Sequence, residues 1–327
     1  MHEFNLIAMI RDRCALARED VRLGIGDDAA LLAVPAGQIL AVSTDTLVAG
    51  VHFPQSTRPF DVGWKSLAVN LSDLAAMGAT PAWATLALTL PDADAQWVGQ
   101  FADGFAALAG EFKLALVGGD MTQGSLSITV CVHGFVPDGA ALLRSAARVG
   151  DGVYVTGTLG DAAAGLRCIE QDKGGSATPP LASATACASL IERLDRPTPR
   201  VAQGLALRGR ANACIDISDG LVADLGHICA ASGVGAEIDV ETLPASSALF
   251  GALDASTRHA LQLTGGDDYE LCFTAADSEA PSLLGDLARS GCGATRIGRI
   301  VAGRGVATRD ASGNPLVVMQ PGWEHFS

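Results

Sequence analysis

In Gly24-Ile-Gly-Asp-Asp-Ala-Ala30, two adjacent aspartates come directly after a glycine and are followed by an apolar segment. Carboxylates so close together repel each other, and removing them from water is costly unless a cation or a hydrogen-bond network compensates. The same requirement recurs at Ser43-Thr-Asp-Thr46, at Asp73, at Gly118-Gly-Asp120 and at Asp216-Ile-Ser-Asp219. We therefore predict that these acids converge on one cluster of divalent cations that holds a polyphosphate.

Length and charge restrict the remaining possibilities. A chain of 327 residues exceeds what a single core usually supports, so two domains are expected. Hydrophobic residues make up 49% of the chain and charged residues 18%, which is typical of a well-buried α/β protein. The net charge of −14 argues against nucleic acid or an anionic membrane as a partner, because both require basic patches. With only 22 Lys and Arg, neutralising phosphates must fall largely to metal ions.

Cysteine usage and the N-terminus indicate the compartment. The 8 cysteines occur singly, without any Cys-x-x-Cys pair, so we interpret them as buried reduced thiols rather than zinc ligands or disulfides. The N-terminus lacks a basic region followed by an apolar core, so no signal peptide is expected. No apolar run approaches the roughly 20 residues of a membrane span. We therefore predict a cytoplasmic protein.

Apolar periodicity predicts a mixed α/β (α+β) fold in two domains. Residues 1–137 are predicted to form an N-terminal α/β domain and residues 138–327 a C-terminal α/β domain, with the boundary at the turn Pro137-Asp-Gly139. A helix is expected over residues 4–17, while residues 172–189 are the least structured segment. Each acidic motif is expected in a Gly or Ser turn after a short apolar strand, where rigid scaffolds present functional groups.

A polar stripe marks the helix predicted from Val62 to Met77. Ser66, Asn70 and Asp73 are spaced four and three residues apart and therefore share one face. That face is compatible with exposure to water, but the surrounding alanines favour an inward orientation. We predict that this stripe carries a ligand of the metal cluster.

The oxygen-rich motifs favour magnesium. Carboxylates without clustered His or Cys select magnesium or calcium over zinc, and no calcium-binding loop is present. Magnesium held by several aspartates is typical of phosphoryl transfer, yet neither a P-loop nor the protein-kinase motifs occur. Taken singly, each aspartate is also compatible with a helix cap or a turn. It is the repetition of the motif that favours a shared site.

The ordered set of motifs resembles the thiamine-monophosphate kinase family. The segments that carry the resemblance are Gly24-Ile-Gly-Asp-Asp-Ala-Ala30, Ser43-Thr-Asp-Thr-Leu47 with His52 and Phe53, Asn70-Leu-Ser-Asp-Leu-Ala-Ala-Met-Gly-Ala79, Gly118-Gly-Asp120, Asp216-Ile-Ser-Asp-Gly220, Gly265-Gly-Asp-Asp-Tyr-Glu270 and Gly322-Trp323. Together they extend from about residue 3 to residue 326. The wider superfamily includes aminoimidazole ribonucleotide synthetase, selenophosphate synthetase and the hydrogenase-maturation enzyme.

The resemblance implies phosphorylation of thiamine monophosphate by ATP, with several Mg²⁺ ions, in a homodimer. In it, the N-terminal domain binds ATP and Mg²⁺ and pairs with its partner to build the nucleotide sites, while the C-terminal domain completes the nucleotide and substrate site. The residues similar to the magnesium ligands are Asp27, Ser43, Thr44, Asp45, Asp73, Asp120, Asp216 and Asp219. Among these, the acids expected to act in catalysis are Asp27, Asp45, Asp73, Asp120 and Asp216. Gly119, Arg144 and Ser218 resemble the nucleotide contacts. His52, Glu270 and Trp323 resemble the thiamine monophosphate site.

Three of these residues have ordinary alternatives. Arg144 is also compatible with a solvated linker charge, Trp323 with a C-terminal anchor and His52 with a hydrogen-bonded structural histidine. One departure concerns adenine: some members of the family have an aromatic side chain near position 103, where this chain has Asp103. Two rival functions stay open, a sister ATP-dependent synthetase acting on another acceptor and a non-catalytic metal-binding member of the fold.

Overall fold

The computed structural model describes residues 3–172, 183–316, 318 and 322–324. The chain divides into one unit of residues 1–74 and 79–141 and a second unit of residues 75–78 and 142–327. Both units combine helices with a sheet, so the predicted mixed α/β fold is confirmed. The predicted limits at 137 and 138, and the roles given to the two domains, stay predictions.

The first unit is built around one four-stranded sheet. Its elements are α1 (Glu3–Arg13), β1 (Val21–Leu23), β2 (Leu31–Leu32), β3 (Gln38–Val48), α2 (Pro59–Ala76), β4 (Thr80–Leu90), α3 (Ala95–Glu111), β5 (Ala115–Gln123) and β6 (Ser127–Pro137). The strand order is β3-β6-β4-β5, with β4 and β5 parallel and the other pairs antiparallel. Helix α3 makes the crossover that two parallel strands require. Strands β3 and β5 are therefore the two edges of this sheet.

Helices α2 and α3 approach each other at two glycines. A Cβ at Gly63 would lie 2.0 Å from the Phe101 carbonyl oxygen, and one at Gly104 would lie 1.9 Å from the Phe60 carbonyl oxygen. Only residues without a side chain permit this contact between backbones. The close crossing fixes the helix that carries the polar stripe.

The stripe faces inward, as predicted. Ser66 and Asn70 are 1% and 0% exposed, and Asp73 is half-buried. The Ser66 hydroxyl donates to the Gly63 carbonyl oxygen at 2.9 Å, and the Asn70 amide donates to the Ser66 carbonyl oxygen at 3.0 Å. The polar groups of the stripe are thus satisfied inside an otherwise apolar interface.

The second unit contains a seven-stranded sheet flanked by helices. Its elements are β7 (Gly152–Thr156), α4 (Asp161–Asp172), α5 (Ala184–Asp195), α6 (Val201–Leu207), β8 (Ala213–Asp216), α7 (Leu221–Ser232), β9 (Gly235–Asp239), a short 3₁₀ helix (Val240–Thr242), α8 (Ser247–Ala252), α9 (Ala255–Thr264), β10 (Leu271–Ala275), α10 (Ala280–Arg289), β11 (Ala294–Val301), β12 (Gly305–Arg309) and β13 (Pro315–Leu316). The strand order is β13-β12-β9-β11-β7-β10-β8. Because β10 runs antiparallel to both β7 and β8, the carboxyl ends of β7 and β8 lie at the same end of the sheet.

Several sequence-based expectations need correction. Helix α1 ends at Arg13 rather than at residue 17. The segment expected to be least structured, residues 172–189, contains the first part of α5, which begins at Ala184, whereas residues 173–182 lie outside the described part of the chain. Helix α8 and strand β11 were not anticipated.

The predictions about cysteines and membranes can also be compared with the structure. Five of the eight cysteines are buried, the other three are half-buried, and all eight are free thiols. Burial raises the pKa of the Cys14 thiol to about 12. In the part of the chain that the structure describes, no helix combines the length and the apolar character needed to cross a membrane.

Candidate functional site

Strand β3 and helix α2 bring four of the polar side chains together. The Ser43 hydroxyl donates to the Asp73 carboxylate at 2.5 Å, and the Asp45 backbone N–H donates to the Asn70 side-chain oxygen at 3.1 Å. Ser43 and Asp45 lie on the face of the sheet that α2 covers, and both are half-buried. Two carboxylates and a hydroxyl therefore share one corner of the first unit, which is a donor set of the kind that Mg²⁺ prefers.

Gly119 and Asp120 lie inside strand β5, whereas the sequence indicated a turn. They pair with Leu86 and Ala87 of β4, and a Cβ at Gly119 would lie 1.9 Å from the Leu86 carbonyl oxygen. The glycine is thus needed for the approach of two strands rather than for a change of chain direction. Asp120 is exposed, and a small apolar cavity next to it is lined by Leu88 and neighbouring residues of α1 and β5.

Within one copy of the first unit, the predicted acids lie at separate positions of the sheet. Asp120 is in one row with Ala87, Thr129 and Thr46, so it lies on the face of the sheet opposite to Asp45. The two edge strands that carry Asp45 and Asp120 are separated by three strand spacings, about 14 Å. In the described ranges, no group of three or more His, Cys, Asp or Glu side chains is close enough to hold a metal ion. Because β3 and β5 are opposite edges of the sheet, Asp45 and Asp120 could share one cluster only with the help of a second copy of this unit, and the predicted convergence stays a prediction.

Asp27 and Thr44 are on the exposed side of the first unit. The Asp27 carboxylate accepts the Asp28 backbone N–H at 2.9 Å, within a turn between β1 and β2. Thr44 is exposed on β3 and neighbours Cys131 of β6. Both side chains are thus accessible to a ligand from outside this unit.

His52 and Asp103 both have partners within the first unit. The His52 ring nitrogen Nδ1 accepts the Val48 backbone N–H at 3.0 Å, which fixes the loop after β3. Asp103 pairs with Arg13 at 2.8 Å, where some family members have an aromatic side chain. Position 103 therefore supplies an exposed ion pair rather than a stacking surface.

In the second unit, the loop after β8 gathers three of the predicted residues. Asp216 is 4% exposed, while Ser218 and Asp219 are half-buried. The Trp323 backbone N–H donates to the Asp219 carbonyl oxygen at 3.0 Å, and the Trp323 residue is 55% exposed. A predicted metal ligand and a predicted substrate contact are thus adjacent. Arg144 is exposed in the same unit, before β7.

One carboxylate that the sequence did not single out organises this loop. Oδ2 of Asp224, in the first turn of α7, accepts the backbone N–H groups of Ser218, Asp219 and Gly220, each at 3.1 Å. Burial and, next, the charge of Asp219 raise the pKa of Asp224 to about 7, while the three N–H donors act in the opposite direction. No motif indicated this residue, since a single acid in a helix is common.

Glu270 is enclosed rather than exposed to a ligand. Its residue exposure is 0%, and its oxygens accept from Arg193 at 2.9 Å, from Arg200 at 2.5 and 2.6 Å, and from the Thr156 hydroxyl at 2.7 Å. The two arginines lie on α5 and at the start of α6, so two connected helices are tied to the beginning of β10. No local sequence pattern indicated either arginine, because their partner lies 70 or more positions away.

Family models and curated relatives match this chain over most of its length. The family model "AIR synthase related protein, N-terminal domain" matches residues 26–136, and the corresponding C-terminal domain matches residues 148–310. The curated thiamine-monophosphate kinase of Escherichia coli K12 is 49% identical over 99% of this chain and 98% of its own length. The crystal structure of thiamine-monophosphate kinase from Stenotrophomonas maltophilia K279a has 52% identity and a TM-score of 0.86, covering 94% of this chain and 96% of that one.

A ligand-bound relative and a more distant fold relative complete the comparison. The structure of AaThiL complexed with AMPPCP and TMP has 35% identity and a TM-score of 0.76, covering 99% of this chain and 97% of that one. The E. coli hydrogenase maturation protein HypE shares the fold at 22% identity, with a TM-score of 0.75. The end-to-end identity places this chain within one branch of the fold: it belongs to the thiamine-monophosphate kinase family.

Proposed function

We infer that this protein is a kinase that transfers a phosphoryl group from ATP to thiamine monophosphate and forms thiamine diphosphate. The observation that carries this inference is the AaThiL complex with AMPPCP and TMP, because that relative covers 99% of the chain at 35% identity. A non-hydrolysable nucleotide and TMP on one protein correspond to the two substrates of such a transfer.

We propose that the predicted oxygen ligands of each unit hold magnesium ions. The ligands would be Asp27, Ser43, Thr44, Asp45, Asp73 and Asp120 in the first unit, and Asp216 and Asp219 in the second. The fit is best at the corner of β3 and α2, where the Ser43 hydroxyl already contacts the Asp73 carboxylate. When bound, the ions supply charge neutralisation between two anionic phosphates.

The side chains of this chain then position the two substrates. The acceptor is a phosphate monoester whose second pKa is about 6, so it is largely dianionic at neutral pH and needs no general base. We propose that the Gly119 backbone, the Arg144 guanidinium and the Ser218 hydroxyl contact the nucleotide. Arg144, exposed and cationic, suits a bidentate phosphate contact. Catalysis would rest on positioning and electrostatic stabilisation.

For thiamine recognition we propose Trp323, His52 and Glu270. The exposed Trp323 ring, held next to Asp219 through its backbone, offers a stacking surface for a flat cationic group. The Nδ1 atom of His52 accepts the Val48 N–H, so contact with the substrate would use the Nε2 edge or a face of the ring. Glu270 would reach thiamine only if Arg193 or Arg200 moved away, and its direct role stays a prediction.

We also propose that the active form is a homodimer in the cytoplasm. The face of the first sheet opposite α2 exposes Val42 at 55% and Leu40 at 37%, together with Thr44 and Thr46. A two-fold axis parallel to the strands, between two such faces, would place β3 of one copy over β5 of the other. Asp120 of one chain would then lie over the Thr44 edge of its partner, so the two edge strands that are far apart within one chain would become neighbours.

Turnover tests the chemistry directly. Purified protein with ATP, Mg²⁺ and thiamine monophosphate is expected to form thiamine diphosphate, and Asp73→Asn or Asp120→Asn to abolish turnover while the fold is retained. Asp12→Asn, which removes an exposed acid of α1, is the matched control and should retain wild-type turnover. Activity on formylglycinamidine ribonucleotide instead of thiamine monophosphate would favour the sister synthetase. No ATP consumption at all would favour a non-catalytic binding protein.

The assembly has its own test. Val42→Glu is expected to yield a monomer with strongly reduced turnover, as measured by sedimentation and by product formation. Val149→Glu, at a 61% exposed position of the second unit, should remain dimeric and active. A monomeric wild type with full activity would contradict the proposed assembly.

A further inference from the structure

We propose that Asp224 is a positioning residue of the kinase: it orients Ser218 and Asp219 for nucleotide and metal without touching either substrate. The inference rests on the proposed roles of those two residues. Its basis is the convergence of three consecutive backbone N–H groups, those of residues 218–220, on one oxygen of a side chain that is 3% exposed.

The carbonyl side of the same loop is also fixed. The Ile217 carbonyl oxygen accepts the Tyr269 N–H at 2.8 Å, and the Ser218 carbonyl oxygen accepts the Asp267 N–H at 2.9 Å. The Asp219 carbonyl oxygen accepts the Trp323 N–H at 3.0 Å. Each peptide unit of the loop is thus held from one or both sides. Asp224 is the group that accepts all of the hydrogen bonds on the amide side.

Because the backbone of the loop is fixed, the side chains of Ser218 and Asp219 keep a defined orientation. Ser218 and Asp219 are half-buried, whereas Gly220, the last residue of the loop, is buried. A Cβ at Gly220 would lie 2.9 Å from the Thr264 carbonyl oxygen, so the loop cannot relax in that direction. If the Asp224 acceptor is removed, three buried or half-buried N–H groups lose their partner, and the loop is expected to turn them toward water. The hydroxyl of Ser218 and the carboxylate of Asp219 would then leave their positions.

An ordinary helix cap would give a different result. Acids at the start of a helix commonly accept backbone N–H groups, and their loss lowers the Tm without affecting a distant site. Asp254, the N-cap of α9 in the same unit, is such a residue, because its carboxylate accepts the Thr257 N–H at 3.0 Å. Asp254→Ala is therefore the matched control for a purely structural effect.

The decisive measurement is the Mg²⁺ concentration at half-maximal activity, together with the KM values for ATP and thiamine monophosphate. For Asp224→Ala we expect the Mg²⁺ requirement and the KM for ATP to rise about 10–100-fold, as is usual when a residue that orients a metal ligand is removed. Asp224→Asn retains one acceptor oxygen and should change both values in the same direction by a smaller factor. Asp254→Ala should lower the Tm and leave both values at wild type.

A second readout separates this inference from the proposed reaction. Binding of Mg²⁺ with a non-hydrolysable ATP analogue is measured by calorimetry, so it requires no turnover, and hydrogen exchange reports on the amides of residues 218–220. Weaker analogue binding with faster exchange in the Asp224 variants supports the role even if thiamine monophosphate is not the acceptor. Wild-type Mg²⁺ requirement and analogue binding in Asp224→Ala overturn it. If Asp224→Ala does not fold, wild-type values in Asp224→Asn overturn it equally.

Discussion

Replacing Gly119 by alanine tests whether the contact between β4 and β5 sets the position of Asp120. The added Cβ would lie 1.9 Å from the Leu86 carbonyl oxygen, whereas real Cβ atoms essentially never approach closer than 3.0 Å. The obstacle is backbone in the middle of a paired strand, so β5 must move by about 1 Å. Overpacking of this kind costs ~1–3 kcal/mol, and a 1 Å displacement of a catalytic group costs ~100-fold in rate.

The assay combines formation of thiamine diphosphate with urea unfolding. We expect the Gly119→Ala protein to fold, to lose ~1–3 kcal/mol of stability and to turn over ~100-fold more slowly. Gly118→Ala is the control for stability, because its Cβ would lie 3.8 Å from the Thr85 methyl group, an ordinary contact. Wild-type stability and turnover in Gly119→Ala would show that the strand contact does not position Asp120, and would refute the reasoning.

Two further substitutions test hydrogen-bonded carboxylates, one within each unit. Glu270→Gln removes a fully buried carboxylate from two guanidinium groups, so the free energy of unfolding measured in urea should fall by ~3–5 kcal/mol. As a control, Glu237→Gln breaks ion pairs at the surface and should lower that free energy by no more than ~1 kcal/mol. Asp20 has its pKa lowered chiefly by the hydrogen bond from Arg18, so its carboxylate stabilises the fold above its unfolded-state pKa of about 4. The stability difference between wild type and Asp20→Asn should therefore be largest near neutral pH and vanish as the pH falls through the lowered pKa; a difference independent of pH would contradict it.

Residue patterns predicted most regular elements and the inward face of α2 because both follow from short-range periodicity. Ser66 and Asn70, placed among alanines, left no reason for that face to meet water, and the structure buries both. The same patterns failed for Gly118-Gly-Asp120. Paired glycines usually indicate a turn, but here Gly119 permits a close approach to Leu86, a residue more than 30 positions earlier in the sequence. Contacts at that separation leave no local signal.

The candidate site shows the same limit. The individual acids were recognisable from their motifs, whereas their partners were not: Asn70 was noted only as part of a stripe, and Asp224, Arg193 and Arg200 were not singled out. Each acts through a group placed by the fold. Glu270 illustrates the consequence, because a motif residue that was expected to face the substrate is instead enclosed by two guanidinium groups from separate helices.

The way β3 is held explains why these acids stand on regular elements rather than on loops. Asp45 lies on an edge strand, and its N–H is donated to the Asn70 side chain of α2. The next member of the stripe, Asp73, accepts a hydrogen bond from the Ser43 hydroxyl. The polar stripe thus binds one backbone N–H and one hydroxyl of an edge strand and holds β3 next to the Asp73 carboxylate. Elements packed in a core hold such geometry more tightly than loops do. Asn70→Ala should consequently weaken Mg²⁺ binding at the proposed site, as measured by calorimetry, because the Asp45 backbone N–H would lose its acceptor.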